Sequence, residues 1–304
     1  MKLALLTDLR ALFGEQVQEQ VPLAPYTSAR IGGAADVLVT VQNADELAGA
    51  VRACLEHDLP YILLGGGANV LVSDKGVRGI VILNRAKAAD FRAGSEPNLW
   101  AESGAVFSNL ARRAAAKGFA GLEWAVAVPG TVGGAVYGNA GAFDGEVAQD
   151  LIRTEILDEH GRSWWPAENL EYGYRSSILK NTRLKAVVLS AEFRVHPGRI
   201  EEIKAKIDRF TTHRKATQPP GASMGSMFKN PPGDFAGRLI EAAGLKGTRI
   251  GNAEISQVHG NFFVNRGETK AADIRSLIEL TQRTVKEKLN VQLELEVELI
   301  GEWQ

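Results

Sequence analysis

The stretch Val126–Phe143 reads VAVPGTVGGAVYGNAGAF: five glycines interleaved with small residues, and one side chain, Tyr137, that is both large and polar. Such a run exposes backbone. Glycine lacks the Cβ that holds a ligand away and tolerates positive φ, so the N–H groups of Gly130, Thr131, Gly133 and Gly134 can converge on one anion, most simply a phosphate. Glycine-rich runs also serve as mobile loops, and one alone does not choose between these readings. A second loop, Gly65-Gly66-Gly67-Ala68-Asn69-Val70, follows the apolar strand candidate Tyr61-Ile62-Leu63-Leu64 and shifts the balance. Two backbone-exposing loops suit one extended diphosphate gripped from two sides.

A Rossmann fingerprint does not fit. G-x-G-x-x-G counted from Gly65 needs glycine where Val70 stands, and Val70-Leu71-Val72 reads as strand rather than helix. No G-x-x-x-x-G-K-[ST] occurs. A dinucleotide is therefore expected on two loops, not on a helix N-terminus.

At 304 residues the chain has length for one large or two medium domains with a substantial core. Apolar residues make up 45% and charged residues 23%, as in ordinary globular proteins. The net charge of −1 argues against nucleic acid or an anionic membrane as partner, so an anionic ligand must be recognised by local groups. Cys54 is the sole cysteine, which excludes an internal disulfide. The five histidines are scattered, and no metal is expected. Asp8 and Arg10 interrupt the apolar N-terminus before it resembles a signal sequence, and no apolar run approaches about 18 residues. The expectation is a cytoplasmic protein.

Along the chain, Leu5, Leu9 and Leu12 give helical spacing over Leu3–Phe13, closed by Gly14, and this element reads as an appended helix within residues 1–20. A strand is expected from Ala35 to Val41. A helix follows from the capping-box pair Asn43 and Glu46 to His57, then strand Tyr61–Leu64, which together read as one βαβ unit. Strands over 77–83 and 98–102 and a helix over 108–117 come next. Beyond the long glycine stretch the pattern becomes antiparallel β at 151–157, 163–165 and 187–194. A helix over 199–213 leads to Gln218-Pro219-Pro220-Gly221, the clearest linker signal, and the domain boundary is placed there. The remainder predicts a strand at 224–228, a helix at 234–243, a strand at 261–264, a helix at 269–289 and an alternating strand at 291–300.

Three short motifs carry candidate chemistry. Tyr172-Gly173-Tyr174-Arg175-Ser176-Ser177 sets an arginine among aromatics and hydroxyls; on its own this also describes a surface arginine stacked on tyrosine. Ser223-Met224-Gly225-Ser226-Met227-Phe228-Lys229-Asn230-Pro231 holds a serine after glycine, which is usually a turn residue. In Val291-Gln292-Leu293-Glu294-Leu295-Glu296-Val297-Glu298 the acids alternate with aliphatics, and at period two Glu294, Glu296 and Glu298 are equivalent.

With the segment Thr27–Asp36 (TSARIGGAAD), the GGGANVLV and PGTVGGAVYGNAGAF loops and these motifs, in this order from about Tyr26 to Gly301, the chain resembles the UDP-N-acetylenolpyruvoylglucosamine reductases of bacterial cell-wall synthesis. The resemblance implies an α+β fold. A PCMH or vanillyl-alcohol-oxidase-type FAD domain, in two subdomains over residues 21–217, would precede a smaller α+β substrate domain over 218–304. The short segment between Leu184 and Phe210 matches the compact form of that family.

By the same resemblance, non-covalent FAD is held by Arg30, by Gly65, Gly66, Gly67, Ala68, Asn69, Val70 and Leu71, and by Pro129, Gly130, Thr131, Val132, Gly133 and Gly134 with Asn139, Ala140 and Gly141. NADPH reduces the flavin, and a UDP-sugar carrying an enolpyruvyl group then accepts hydride. Arg175 matches the catalytic arginine, whose fork suits a carboxylate. Ser226 fits G-S-x-F-K-N-P as the proton donor. Glu296, before Val297 in the E-V-x-x-I-G ending, is selected from its neighbours as the catalytic acid. Tyr174, Lys229, Asn230, His259 and Asn261 are implied substrate contacts. Met224 and Met227 depart from the smaller or β-branched residues expected around the serine. A flavin oxidase or dehydrogenase acting on a sugar or alcohol remains an alternative on the same scaffold, as does a nucleotide-binding module without catalysis.

Overall fold

Helices form where 3.6-residue spacing predicts them and where a cap is at hand. Asn43 Oδ1 accepts from the Glu46 N–H at 2.8 Å, and the Glu46 carboxylate accepts from the Gln42 N–H at 2.8 Å, so helix Ala44–Glu56 begins at its capping pair. It buries Leu47, Val51 and Cys54 along one face. Helix Leu3–Phe13 buries Leu5 and Leu9 but leaves Leu12 62% exposed, outside the expected apolar stripe.

The structure, a computed structural model, describes residues 3–182 and 185–303; Met1, Leu184 and Gln304, which bound segments discussed above, lie outside them. A four-stranded sheet runs in the order Val17–Pro22, Ala34–Val41, Val77–Asn84, Tyr61–Leu64. Strand Val77–Asn84 thus lies between the two strands of the expected βαβ unit. No helix among the described residues is long and apolar enough to cross a membrane.

Two compact units divide the chain. The first comprises Met1–Val17, Val39–Gly66 and Ile82–Arg214. Its five-stranded antiparallel sheet runs in the order Gly161–Pro166, Leu151–Asp158, Val187–Arg194, Asn98–Glu102, Ala89–Arg92. The central strand Val187–Arg194 is buried on both faces up to its last residue, and its two polar members are paired: Glu192 with Arg92 (3.0 Å) and Arg153 (2.7 Å), and Ser190, whose Oγ donates to Glu155 Oε2 at 3.0 Å. Phe107 packs edge-on to Trp124 and tilted against Phe193 in the core below it. The long glycine stretch enters this core too. Val132–Gly138 folds as a short helix, where the sequence reads as open loop, with Val132 and Val136 fully buried.

The second unit comprises Gln18–Leu38, Gly67–Val81 and Lys215–Gln304. A sheet in the order Ala222–Ser226, Phe262–Asn265, Ala253–Ile255, Arg249–Ile250 packs with helix Ala271–Leu289 around Phe228, Phe263, Ile274 and Leu277. The Asp74 carboxylate accepts from the N–H groups of Ala271 (2.7 Å) and Ala272 (2.9 Å), capping that helix from a distant loop. Only Glu298–Ile300 of the expected 291–300 strand is regular, in parallel with Val70–Val72. Residues 291–297 instead meet the Ser226 segment through a single bridge, Phe228 to Leu295. Helix Ile200–Thr217 runs beyond the predicted end at His213, up to the proline-rich link itself.

Candidate active site

In the first unit the two glycine-rich loops touch. A Cβ on Gly66 would stand 2.9 Å from the Gly130 Cα, and one on Gly65 would strike the Thr131 hydroxyl, so the approach requires glycine. The backbone donors are not all turned to a ligand, however. Gly133 N–H donates to Ser103 O at 2.8 Å and Val132 N–H to Ala105 O at 2.9 Å, which corrects the expectation that Gly133 joins its neighbours around one anion. Val132 serves the core. Pro129 and Gly134 are exposed, and the Cβ position of Gly134 meets nothing within 4 Å, leaving one face of the short helix bare.

Asn139 closes that helix at φ +46°, 1% exposed, with Nδ2 donating to Gly173 O at 3.0 Å and Oδ1 accepting from Ala148 N at 3.0 Å. It therefore fastens the glycine stretch to the Tyr172–Ser177 turn rather than facing outward. Two further bonds fasten the same turn: Tyr172 Oη to Val136 O at 2.9 Å and Ser177 Oγ to Tyr137 O at 2.6 Å. Ala140 N–H bonds Ala135 O at 2.9 Å, and the Gly141 carbonyl accepts from Arg175 Nη2 at 2.8 Å. The Arg175 guanidinium also lies over the Tyr174 ring at 5.1 Å, and Tyr174 is 51% exposed. The arginine is thus stacked on tyrosine, as the plain reading of the motif has it, and is also tied to the glycine loop.

In the second unit, Gly67 takes φ +58° with its missing Cβ 2.8 Å from the Thr27 Cα, and its carbonyl accepts from Ser28 N at 2.9 Å. That contact holds the turn bearing Arg30, exposed and itself at φ +56°. Ala68 and Val70 are half-buried; Leu71 is fully buried in the second core, so any cofactor contact from it runs through backbone. Asn69 Nδ2 donates to Glu296 O at 2.9 Å.

Ser226 and Glu296 come together. Ser226 ends strand Ala222–Ser226 after a register shift, paired with Phe262, while Glu296 N–H donates to the carbonyl of the next residue, Met227, at 3.0 Å. Met224 and Met227 are both buried in the core, so the two residues that departed from the expected pattern anchor the serine loop from beneath. The three acids also separate. Glu294 is exposed and paired with Lys229, whereas Glu296 and Glu298 are half-buried.

The implied substrate residues of this unit are largely occupied in holding it. Asn230 Oδ1 accepts from Ala236 N at 3.1 Å beside helix Ala236–Ala242. Asn261, 2% exposed, bonds Phe228 N and O through its carboxamide at 2.9 and 2.8 Å. His259 packs against Gly237 and the Phe262 ring and accepts from Asn261 N on Nδ1; burial above all, with Lys246 adding to it, lowers its pKa below the usual histidine value.

Arg214 escaped the sequence reading. Its guanidinium donates to Ala127 O just before the Pro129 loop, and burial above all lowers its pKa, with Arg112 adding to the effect. A half-buried charge in the last turns of a polar helix carries no sequence pattern that marks it.

In the first unit, then, two glycine loops meet at a distance that only glycine permits, and a helix face at Gly134 is left bare, features compatible with a phosphate-bearing cofactor. A family model described as an FAD binding domain matches residues 35–165, spanning both glycine loops, and one described as the C-terminal domain of UDP-N-acetylenolpyruvoylglucosamine reductase matches residues 216–300. The UDP-N-acetylenolpyruvoylglucosamine reductase of Chloroflexus aggregans is 46% identical over 284 residues, covering 92% of this chain and 96% of the relative. The chain belongs to the UDP-N-acetylenolpyruvoylglucosamine reductase family. The family's enzyme from Rubrobacter xylanophilus is also 46% identical, over 92% of this chain and 94% of its own. The crystal structure of the Thermus caldophilus reductase superposes with a TM-score of 0.79 at 38% identity, over 92% of this chain and 97% of that one. The fold class is the one the resemblance implied, an FAD-binding domain followed by a reductase C-terminal domain.

Proposed function

We propose that the protein reduces the enolpyruvyl group of UDP-N-acetyl-3-O-(1-carboxyvinyl)glucosamine to the lactyl ether of UDP-N-acetylmuramate, in peptidoglycan precursor synthesis. The observation that carries this reading is the end-to-end similarity to the reductases. Residues 21–217 hold the cofactor and 218–304 the substrate. Bound FAD, reduced by NADPH, supplies the hydride.

The chain's own residues do the rest. The Gly65–Leu71 and Pro129–Gly141 segments present backbone to the cofactor's phosphates, with Arg30 as a local cation. Arg175 takes the substrate carboxylate in its fork and stabilises the charge that grows there, without which an enol ether is a poor hydride acceptor. Ser226 gives its hydroxyl proton to the carbon α to that carboxylate, and Glu296 stabilises the enol-like species between the two transfers. Tyr174 and Lys229 flank the substrate. The reading keeps the expected cytoplasmic location, with the UDP-sugar and NADPH as small-molecule partners.

An anaerobic visible spectrum tests the reading. A flavin band that bleaches with NADPH and returns on addition of the enolpyruvyl UDP-sugar is expected. Bleaching by a sugar or alcohol instead would replace the reading with that of an oxidase, and failure to bind flavin would remove it.

A further inference from the structure

Asn69 lies inside the glycine loop, yet its side chain addresses the segment that carries the catalytic acid. Nδ2 donates to the Glu296 carbonyl at 2.9 Å, and the Asn69 carbonyl accepts from Glu298 N at 3.0 Å. The next three residues, Val70–Val72, pair in register with Glu298–Ile300. The carboxamide therefore extends the parallel ladder beyond its first regular pair, acting as the donor that backbone alone does not supply. On its other side, Glu296 donates to Met227 O at 3.0 Å, and the Asn261 carboxamide and carbonyl clamp Phe228 and Met227. Glu296 is thus fixed at both backbone groups, by the glycine loop through Asn69 and by the serine loop through Met227.

We propose that Asn69 is a positioning residue for Glu296, tying the acid's placement to the loop that holds the cofactor. The proposal rests on the catalytic reading of Glu296. An acceptor carbonyl needs a donor, so an ionised aspartate of the same shape presents only acceptors and repels Glu296 O. Asn69→Ser keeps the loop's backbone, which the proposed function gives to the cofactor's phosphates, and adds no charge beside them.

The test compares wild type, Asn69→Asp, Asn69→Ser and Glu296→Gln in four readouts: FAD affinity by fluorescence titration, the rate of flavin reduction by NADPH, the rate of flavin reoxidation by the enolpyruvyl UDP-sugar, and the pH profile of that reoxidation. With FAD saturating, Asn69→Ser is expected to lose more in reoxidation than in reduction by NADPH, by about 10-fold to 100-fold, the effect of one lost hydrogen bond to a positioned group, with a displaced pH profile. Asn69→Asp, whose added charge lies in the segment given to the cofactor's phosphates, should weaken FAD binding as well and slow reoxidation at least as much. If both half-reactions of Asn69→Ser fall in equal proportion at saturating FAD, Asn69 is a cofactor contact or a structural residue and the proposal is overturned. Normal reoxidation in both Asn69 variants beside a slow Glu296→Gln would overturn the positioning role alone. Normal reoxidation in Glu296→Gln would overturn the catalytic reading beneath it.

Discussion

Arg175 Nη2 donates to the Gly141 carbonyl at 2.8 Å from a backbone at φ +54°, a left-handed conformation that costs a non-glycine residue roughly 1–2 kcal/mol. The turn Gly173–Ser176 holds that conformation by two mutual backbone bonds of 3.2 Å. Sequence, strained turn and glycine loop therefore converge on where one guanidinium points.

Arg175→Lys should lower kcat/KM about 10²-fold or more, because an ammonium keeps the charge but reproduces neither the fork nor the anchor to Gly141. Stopped-flow reoxidation by the enolpyruvyl substrate is the direct measurement. Gly141→Ala should weaken the same step, since its Cβ would stand 2.8 Å from Gly145 O and the loop must shift. Wild-type turnover with the lysine would end the arginine's assignment.

Ser226→Ala removes one hydroxyl at a half-buried position whose neighbours Met224 and Met227 keep the loop in the core, so the fold should be retained. Reduction of the flavin by NADPH should stay near wild type. Reoxidation should slow ~10²-fold to 10⁴-fold, the usual effect of losing a positioned proton donor. Separate single-turnover measurements of the two half-reactions check this; equal damage to both would count against the serine as donor.

Gly134 gives a prediction in which stability and binding move in opposite directions. It sits inside helix Val132–Gly138 with open space around its Cβ position, so Gly134→Ala should stabilise the cofactor-free protein by roughly 0.5–1 kcal/mol. The same methyl should weaken FAD binding if the bare helix face receives the cofactor. Thermal unfolding and a fluorescence titration read the two effects, and undiminished FAD affinity would place the cofactor elsewhere.

What the sequence made legible was local. Helix Ala44–Glu56 followed from its spacing and its Asn43 cap, and the antiparallel strands followed from alternation between turn residues. What it hid depends on distant partners. The short helix at Val132 contains Gly133, Gly134 and Gly138, poor helix formers, and two N–H groups at its start are met by the carbonyls of Ser103 and Ala105. Glu294, Glu296 and Glu298 share one periodic pattern, and what separates Glu296 is a carboxamide 227 residues away and a carbonyl on the serine loop. Residues 18–38 and 67–81 likewise join the second unit without any shift in composition that marks them.

The same dependence on remote partners makes the second unit sensitive to acid. Glu254 is 2% exposed; Arg266 Nη2 donates to it at 2.7 Å and Arg249 pairs with its other side. The Arg266 hydrogen bonds do most to hold the carboxyl below its ordinary value of 4.5, burial opposes them, and Arg249 adds to the lowering. A carboxylate lowered in this way binds protons more readily in the unfolded chain, so its contribution is complete above about pH 4.5 and is lost as pH falls through the folded value. Glu254→Gln should therefore destabilise the protein at pH 7, by about 1–3 kcal/mol for the buried hydrogen bonds it loses, because both arginines remain in contact with water. The gap between wild type and variant should narrow as pH falls below about 4.5 and through the folded value. Urea unfolding at a series of pH values measures it, and a gap of constant size would show that the carboxylate's charge contributes nothing to the fold.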